Sequence, residues 1–445
     1  MKRSAWLLLV ILTLLVTALG VAWSAEAVAP QAVLLAGAGR GDITPDLPGP
    51  AGQKVCLGGY GARNAKPAEG VRDHVFARAL VLSDGNQKVC FVALDALQPP
   101  AALKADLLAA LKDLGYQAKG FIVGASHSHS APDNHTDQGP LIAAAFGARS
   151  QHVYDAFLKG ALAAVKQADA SLRPAVVGAG KVEVALNRNR RPEEGSTLTD
   201  PALTVLRVDG TDGKPIATLF NYTAHPTIMD ADNMLISAEW PGQAETALEA
   251  ALPGSVALFF NGAEGDQSPD TEGMGSGYEA VKAFGAAIAK QALALRESIK
   301  PAAPVRLAAA VAELKMPAMR VSPAFMETIA KEYSIPEAVA NSALKAMAPP
   351  SVEQSAIAVG DAVFVSVPGE MVTEPLGLNA KRIEAEAGFK FPVLIGLSPQ
   401  DVSYIVDDKG YAKGGYETAM SFYGPTIGQT VLDGIARLVA EVKPK

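Results

Sequence analysis

The chain has few cysteines and no dense cluster of basic residues. Its 445 residues include two cysteines, Cys56 and Cys90, too few for a small disulfide-stapled scaffold. In an oxidising compartment they could form one disulfide or remain two separate buried thiols. The formal net charge is -7, and no Lys/Arg tract occurs. A nucleic acid partner is therefore not expected.

Long apolar runs are also missing after the N-terminal segment. The one such run, Ala5–Trp23, follows a basic start, which is the pattern of an export signal. Small residues at Ala25 and Ala27 form a cleavage motif, so we expect residues 1–27 to be a signal peptide. The run is also long enough to remain as an uncleaved membrane anchor. We expect an exported protein, periplasmic or secreted, and membrane-anchored if the signal is not cleaved.

Short β-rich apolar runs alternate with Ala/Leu-rich amphipathic segments along the rest of the chain. This alternation predicts a mixed α/β fold. No low-complexity linker divides residues 33–445, so we predict a single catalytic domain, a mixed sheet with helices packed around it. The stretch 301–350 is rich in proline and methionine and has the least regular pattern, so it is a candidate insertion or lid. Polar clusters follow apolar strands, which predicts a site at the carboxyl ends of the strands.

Three histidines lie at the ends of two predicted strands. His127 and His129 directly follow the apolar run Phe121–Ala125. Residues two apart on an extended segment point to the same side, so both imidazoles can reach one cavity. His225 ends a second apolar strand and offers a third nitrogen, as catalytic zinc sites commonly require. The alternative is three histidines that make ordinary hydrogen bonds.

Two further strand ends carry oxygen groups. Ser268 lies in the Gly-rich acidic turn Asn261–Asp270 and could be a nucleophile or a hydrogen-bond donor to a transition state. The same turn could instead be a tight surface turn or a calcium-like loop. Glu370 follows an apolar strand and a Pro-Gly turn, where a carboxylate either caps the next helix or binds a metal. Tyrosines concentrated near the C-terminus either pack in the core or line a pocket: Tyr404, Tyr411, Tyr416 and Tyr423.

Taken together and in this order, the motifs resemble the neutral, non-lysosomal ceramidase family. The matching segments span nearly the whole mature chain: Gly37–Pro45, Gly58–Gly61, Gly124–Pro132, Ala224–Pro226, Gly265–Pro269, Pro368–Glu370 and Tyr423–Pro425. The resemblance implies a zinc-dependent amidohydrolase. Its expected reaction is hydrolysis of the amide bond of ceramide, or of a related N-acyl lipid, to a fatty acid and an amine.

The resemblance also implies roles for individual residues. It places one zinc ion, with a water, on four ligands: His127, His225, Glu370 and Tyr404. Ser268 matches the family's catalytic serine, and His129 matches a histidine beside the metal that we expect to move the proton. Arg188, with Arg190 as the alternative register, and Tyr416 match residues that contact the substrate. Whether Ser268 or a water activated by zinc attacks the amide stays open.

Parts of the chain depart from the family pattern. Family members commonly carry a C-terminal immunoglobulin-like domain, and we expect none here. The surroundings of Ser268 differ, with Gln267 and Asp270 beside it, so another N-acyl lipid or amide is a second candidate substrate. A metal-dependent hydrolase of a different amide or ester, and an exported ligand-binding protein without turnover, are the competing hypotheses. The expected partner is a small lipid, with peripheral contact to a membrane surface.

Overall fold

Two β-sheets organise the molecule, whose computed structural model describes residues 33–135, 139–191, 197–331, 344 and 348–444. The predicted signal segment lies outside these residues. The larger sheet contains eight strands, which in chain order are Leu35–Asp42 (β1), Phe76–Ser83 (β2), Lys88–Leu94 (β3), Phe121–Ala125 (β4), Arg173–Glu183 (β5), Ala202–Gly210 (β6), Pro215–Tyr222 (β7) and Val256–Asn261 (β8). Their spatial order is β8-β7-β6-β5-β1-β2-β3-β4. The pairs β3/β4 and β7/β8 are parallel and the other neighbours antiparallel, which confirms the predicted mixed sheet.

The second sheet contains four strands, Leu307–Lys315 (β9), Ser351–Val359 (β10), Ala362–Ser366 (β11) and Phe391–Ile395 (β12). They pair in this order, the last pair in parallel. Strand β9 corrects the prediction for 301–350, because its part of that stretch is regular and pairs with β10 along nine residues. Its short, alanine-rich side chains gave no clear alternation in the sequence. Residues 332–343 and 345–347 of that stretch lie outside the described residues.

Helices cover the outer faces of the two sheets. Those of eight or more residues are Leu103–Ala110 (α1), Gly139–Phe146 (α2), Gln151–Ala170 (α3), Glu239–Ala251 (α4), Gly277–Ser298 (α5), Leu378–Glu386 (α6) and Ile427–Val442 (α7). No helix among the described residues is long and apolar enough to cross a membrane.

The layers follow from which side chains share a core. Phe91 on β3 and Phe364 on β11 meet between the two sheets, with ring centroids 5.0 Å apart. On the opposite face of the larger sheet, Val92 packs with Phe157 of α3. The outer face of the second sheet packs Val363 against α7. The layers therefore run in the order helices, large sheet, small sheet, helices.

Alternating glycines on β1 explain how α3 reaches the sheet. A Cβ added at Gly37, Gly39 or Gly41 would lie 2.1 to 2.4 Å from a backbone carbonyl oxygen of α3. Real Cβ atoms do not approach that closely, so the helix backbone can lie directly on the strand only where side chains are absent.

Three short ladders lie apart from the two sheets: Gly70–Val71 with Leu235–Ile236, Asn187–Asn189 with Gln267–Pro269, and Glu370–Met371 with Tyr404–Ile405. The last two ladders carry predicted site residues. Cys56 and Cys90 are both buried free thiols, so the unpaired alternative is correct.

Candidate metal centre

His127 lies directly after β4 in an unusual backbone conformation. Its φ is 74°, in the left-handed region that non-glycine residues rarely adopt. The Nδ1 atom donates a hydrogen bond to the carbonyl oxygen of Leu97 at 2.9 Å. The Nε2 atom is therefore directed into the cavity. Such strained positions are often found where a functional side chain must be aimed.

His225, after β7, is oriented in the same way. Its Nδ1 atom lies 2.8 Å from the carbonyl oxygen of Glu264 and 3.0 Å from that of Gln267. Because a carbonyl only accepts, Nδ1 carries the proton and Nε2 is free to bind a cation. The acidic turn that contains Ser268 thus also fixes this histidine.

Glu370 brings a carboxylate to both imidazoles. Its Oε2 atom lies 3.0 Å from Nε2 of His225 and 3.3 Å from Nε2 of His127. It belongs to a short strand and its side chain faces the histidines, so the helix-cap alternative is wrong. Gly265 allows this packing, since a Cβ there would meet the backbone of Glu370 and Met371 at 2.8 to 2.9 Å.

The three side chains of this triad shift one another's pKa values. Burial raises the pKa of Glu370, but the two histidines outweigh it and hold that pKa well below its ordinary value. Burial lowers the pKa of His127, but the Glu370 carboxylate outweighs burial and raises it to about 9. Burial lowers the pKa of His225 to about 3. With Nδ1 of His225 facing two carbonyl oxygens, its Nε2 atom and Oε2 of Glu370 lie 3.0 Å apart, and a shared proton or a metal cation can occupy the space between them.

His129 is the third histidine of the group. One ring nitrogen from each of His127, His129 and His225 lies within 4.8 Å of the other two, close enough to hold a metal ion. Both ring nitrogens of His129 are buried and lack a hydrogen-bond partner among the described residues. Burial, followed by the two neighbouring histidines, lowers its pKa well below the ordinary value. Gly59 packs against its ring, where a Cβ would come within 2.2 Å of Nδ1.

Tyr404 lies directly opposite Glu370 in a parallel ladder. Its hydroxyl oxygen accepts a hydrogen bond of 2.6 Å from Nη2 of Arg190. Burial raises the pKa of Tyr404 well above its ordinary value, and Arg190 acts against that rise. Tyr416 lies beyond, with its ring centroid 5.8 Å from that of Tyr404.

Ser268 and Arg188 face each other in the ladder between Gln267–Pro269 and Asn187–Asn189. Ser268 is buried and adjacent in sequence to Gln267, which contacts His225. Arg188 is exposed, whereas Arg190 contacts Tyr404. The structure thus brings the alternative register, Arg190, to the predicted site.

Asn261 is a site residue to which sequence reasoning gave no role. Its side-chain amide donates to the carbonyl oxygens of Ser126 and Ala224, both at 3.0 Å. Its side-chain oxygen accepts from the backbone N–H groups of Ala224 and Gly262. It therefore connects the ends of β4, β7 and β8 and holds the two histidine-bearing segments together. The sequence feature that could have identified it is an asparagine at the end of the apolar run Val256–Phe260.

The fold and geometry define an α/β protein with a buried histidine and carboxylate centre beyond the carboxyl ends of β4 and β7. Comparison with known proteins then identifies its family. A family model described as neutral/alkaline non-lysosomal ceramidase, N-terminal, matches residues 34–282. The match covers more than half of the chain, and the chain belongs to this family.

Two curated relatives come from Dictyostelium discoideum. Neutral ceramidase B is 28% identical over 262 residues, which cover 53% of this chain and 36% of the relative. Neutral ceramidase A is 27% identical over 255 residues, covering 51% and 35% respectively. The chain thus spans about a third of the length of these relatives.

Solved structures show the same fold over more of the chain. The crystal structure of neutral ceramidase from Pseudomonas aeruginosa matches with a TM-score of 0.78 at 19% identity, covering 92% of this chain and 74% of that one. A structure of a ceramidase complexed with C2 matches with a TM-score of 0.76 at 18% identity, covering 92% and 75%. These likenesses cover a larger share of the chain than the family model does.

Proposed function

We propose that this protein is a zinc-dependent amidohydrolase that cleaves the amide bond of ceramide or a related N-acyl lipid. The main evidence is that the side chains of His127, His225 and Glu370 meet at one point. Oε2 of Glu370 lies 3.0 Å from Nε2 of His225 and 3.3 Å from Nε2 of His127. Membership of the ceramidase family supports the reaction. Export, directed by residues 1–27, is part of the same proposal.

The donor set fits one zinc ion. Two imidazole nitrogens, a carboxylate oxygen and the Tyr404 phenol oxygen are borderline and hard donors of the kind that zinc takes in catalytic sites. Arg190 helps Tyr404 to act as a ligand, because its positive charge favours the phenolate form. A bound zinc ion would polarise the amide carbonyl and lower the pKa of a water in its coordination shell.

Residues around the proposed ligands supply the rest of the chemistry. His129 has two buried, unpartnered nitrogens beside His127, which suits a group that accepts the nucleophile's proton and returns it to the leaving amine. The carbon–nitrogen bond breaks as a carbon–oxygen bond forms, and the amine leaves with that proton.

Ser268 is the proposed second catalytic residue. It is buried next to Gln267 and is held by a ladder to Asn187–Asn189, so its backbone position is fixed relative to His225. It acts as nucleophile through an acyl-enzyme, or as a hydrogen-bond donor while a water attacks. The two routes differ in whether a covalent acyl adduct forms on Ser268 before the fatty acid is released. Tyr416 and the arginines near it are proposed to contact the substrate.

The test is release of fatty acid from a fluorescent N-acylsphingosine by the purified mature chain. Fatty acid release is measured with the protein as isolated, after chelation, and after zinc is restored. Bound metal is quantified in the same samples. We expect one zinc ion per chain and release that stops on chelation and returns with zinc. A zinc-loaded protein that releases no fatty acid would redirect the search to other amides and esters. A protein that binds lipid, binds no zinc and releases no product would support the ligand-binding alternative.

A further inference from the structure

The imidazole of His129 is held differently from the other two imidazoles of the candidate centre. In His127 and in His225, Nδ1 faces main-chain carbonyl oxygens, which fix the orientation of each ring. Both ring nitrogens of His129 are buried, yet neither has a hydrogen-bond partner in the described part of the chain. The orientation of this third ring must therefore come from packing and from the position of its main chain.

The segment 58–60 packs directly on the ring of His129. Gly59 has a φ of 83°, and a Cβ at this position would lie 2.2 Å from Nδ1 of His129, so the glycine main chain lies against the imidazole. The ring of Tyr60 meets the same imidazole edge-on, with centroids 4.8 Å apart. The Tyr60 hydroxyl donates to the carbonyl oxygen of Met229 at 3.1 Å, which fixes the tyrosine in turn. The orientation of the imidazole thus depends on where this segment lies.

Arg63 joins the segment 58–60 to the main chain of His129. Its Nη1 atom donates to the carbonyl oxygen of Gly58 at 2.6 Å and to that of His129 at 2.7 Å. Its Nη2 and Nε atoms donate to the carbonyl oxygens of residues 230–231 at 3.4 and 3.3 Å. One side chain therefore connects the segment that packs on the imidazole, the main chain that carries it, and the loop after β7.

The surroundings of Arg63 require an arginine rather than any side chain of similar volume. The residue is 3% exposed, and its guanidinium donates to four main-chain carbonyl oxygens and lies 4.9 Å from the centroid of the Tyr60 ring. Burial lowers the pKa of Arg63 to about 10, so the guanidinium stays charged at neutral pH. A buried charge is costly unless it is well partnered. A planar fork of donors can reach three chain segments at once, whereas the donors of a lysine all radiate from one nitrogen.

We propose that Arg63 is a positioning residue that orients His129 for proton transfer, through the segment 58–60 and through the main chain of His129. The proposal rests on the proposed function, in which His129 accepts the nucleophile's proton and returns it to the leaving amine. Without the guanidinium, the imidazole would lose its fixed orientation, while the main-chain anchors of His127 and His225 would remain. Zinc binding should therefore persist while proton transfer slows.

A double-mutant cycle between Arg63 and His129 tests whether one residue acts through the other. On N-acylsphingosine, Arg63→Met is expected to lower kcat on the order of a hundredfold, with KM changed less than about threefold, and His129→Ala to lower kcat about a thousandfold. The double variant should be no slower than His129→Ala alone. Losses that multiply in the double variant, or loss of zinc from Arg63→Met, would overturn the proposal.

A change of leaving group adds a readout that a merely structural role would not move. The amine must gain a proton as the carbon–nitrogen bond of the amide breaks, whereas p-nitrophenolate leaves an ester as the anion. Arg63→Met should therefore lose clearly less activity on the p-nitrophenyl ester of the same fatty acid than on the amide. Equal losses on the two substrates would show that Arg63 does not serve proton transfer.

The matched control is Arg296→Met, which removes a second buried arginine. Arg296 is 4% exposed and contacts Asp209 and Thr218, on β6 and in the first half of β7, whereas the candidate centre lies beyond the end of β7. This variant should lose stability but keep the activity of the wild-type chain below its unfolding temperature. A comparable loss of activity in Arg296→Met would mean that the effect of Arg63 is a general consequence of deleting a buried arginine.

Nuclear magnetic resonance of the histidine rings tests the positioning without turnover. The chain has six histidines, so ring-selective ¹³C labelling gives few signals, and His129→Ala assigns the one of interest. In Arg63→Met we expect the His129 signal to shift and broaden while those of His127 and His225 stay in place. An unmoved His129 signal overturns the proposal. If the wild-type chain hydrolyses neither substrate, the proposed function fails, and this signal still decides the role of Arg63.

Thermal unfolding checks that each variant is folded. Should Arg63→Met fail to fold, Arg63→Lys replaces it in every measurement, because it keeps the charge and loses only the fork of donors. We expect Arg63→Lys to show the same pattern with a smaller loss, on the order of tenfold in kcat on the amide. Wild-type kcat together with an unmoved His129 signal in Arg63→Lys would show that the fork is not needed.

Discussion

The two halves of the candidate centre are held in different ways. His127 and His225 follow strands of the larger sheet, and main-chain carbonyl oxygens fix both rings. Glu370 and Tyr404 follow the smaller sheet, and a side chain from elsewhere, Arg190, holds the tyrosine. Main-chain anchors survive most substitutions, whereas side-chain anchors can be lost singly. The histidine half is therefore expected to be the more robust part of the site, and Tyr404 the part that depends on neighbours.

The largest effect is expected from removing a histidine ligand. His225→Ala deletes one of the two nitrogens that face Glu370, so zinc affinity is expected to fall by more than about a hundredfold. Amide hydrolysis should fall by a factor on the order of ten thousand. Metal content and turnover are measured together. Retained zinc in this variant would show that His225 is not a ligand.

Ser268→Ala should separate catalysis from metal binding. Because Ser268 is not a proposed ligand, we expect a full complement of zinc with activity reduced on the order of a thousandfold. Trapping with rapid quenching and mass measurement tests for an acyl adduct in the wild-type chain. A variant with near wild-type turnover would exclude the serine from the chemistry.

Arg190→Gln tests the weaker anchor directly. Without the guanidinium, Tyr404 loses both its hydrogen bond and the charge that favours phenolate, so activity should fall on the order of a hundredfold. Arg188→Gln is the paired variant, and a change of only a few-fold on a soluble substrate is expected, since Arg188 is exposed. The reverse ranking would restore Arg188 as the residue that serves the site.

The smallest effect is on stability and concerns the histidine half. Asn261→Ala removes the amide that joins the ends of β4, β7 and β8 and leaves buried backbone groups unpaired. We expect a loss of about 2 kcal/mol in the free energy of unfolding. Chemical denaturation measures it. An unchanged midpoint would mean that water replaces these bonds, and the histidine half would then be less rigid than its contacts indicate.

Sequence reasoning predicted the mixed α/β fold because apolar periodicity is local, although it assigned no strand at β1, β5 or β9. It also placed the histidines correctly at strand ends, since each follows its own buried run. The approach of Glu370 to two histidines more than a hundred residues away depends on how the two sheets pack, which no local pattern encodes. Strand β9 was missed because its alanine-rich side chains show no clear apolar alternation. Its pairing with β10 is visible only in the structure.

The choice between Arg188 and Arg190 shows the same limit at the scale of two residues. In an extended segment both side chains point to the same side, so composition and spacing leave the register open. Only the pairing of Asn187–Asn189 with the serine segment, and the bond from Arg190 to Tyr404, distinguish them.

The origin of the proposed ligands in two different sheets has a thermodynamic consequence. An ion held jointly by His127, His225 and Glu370 would bind tightly only while the two sheets stay in contact. By linkage, the bound ion would stabilise that contact by the same free energy. Loosening the Phe91–Phe364 contact between the sheets should then weaken metal binding from a distance. The metal ion would act as a cross-link across the core, and its dissociation rate would report how often the two layers part.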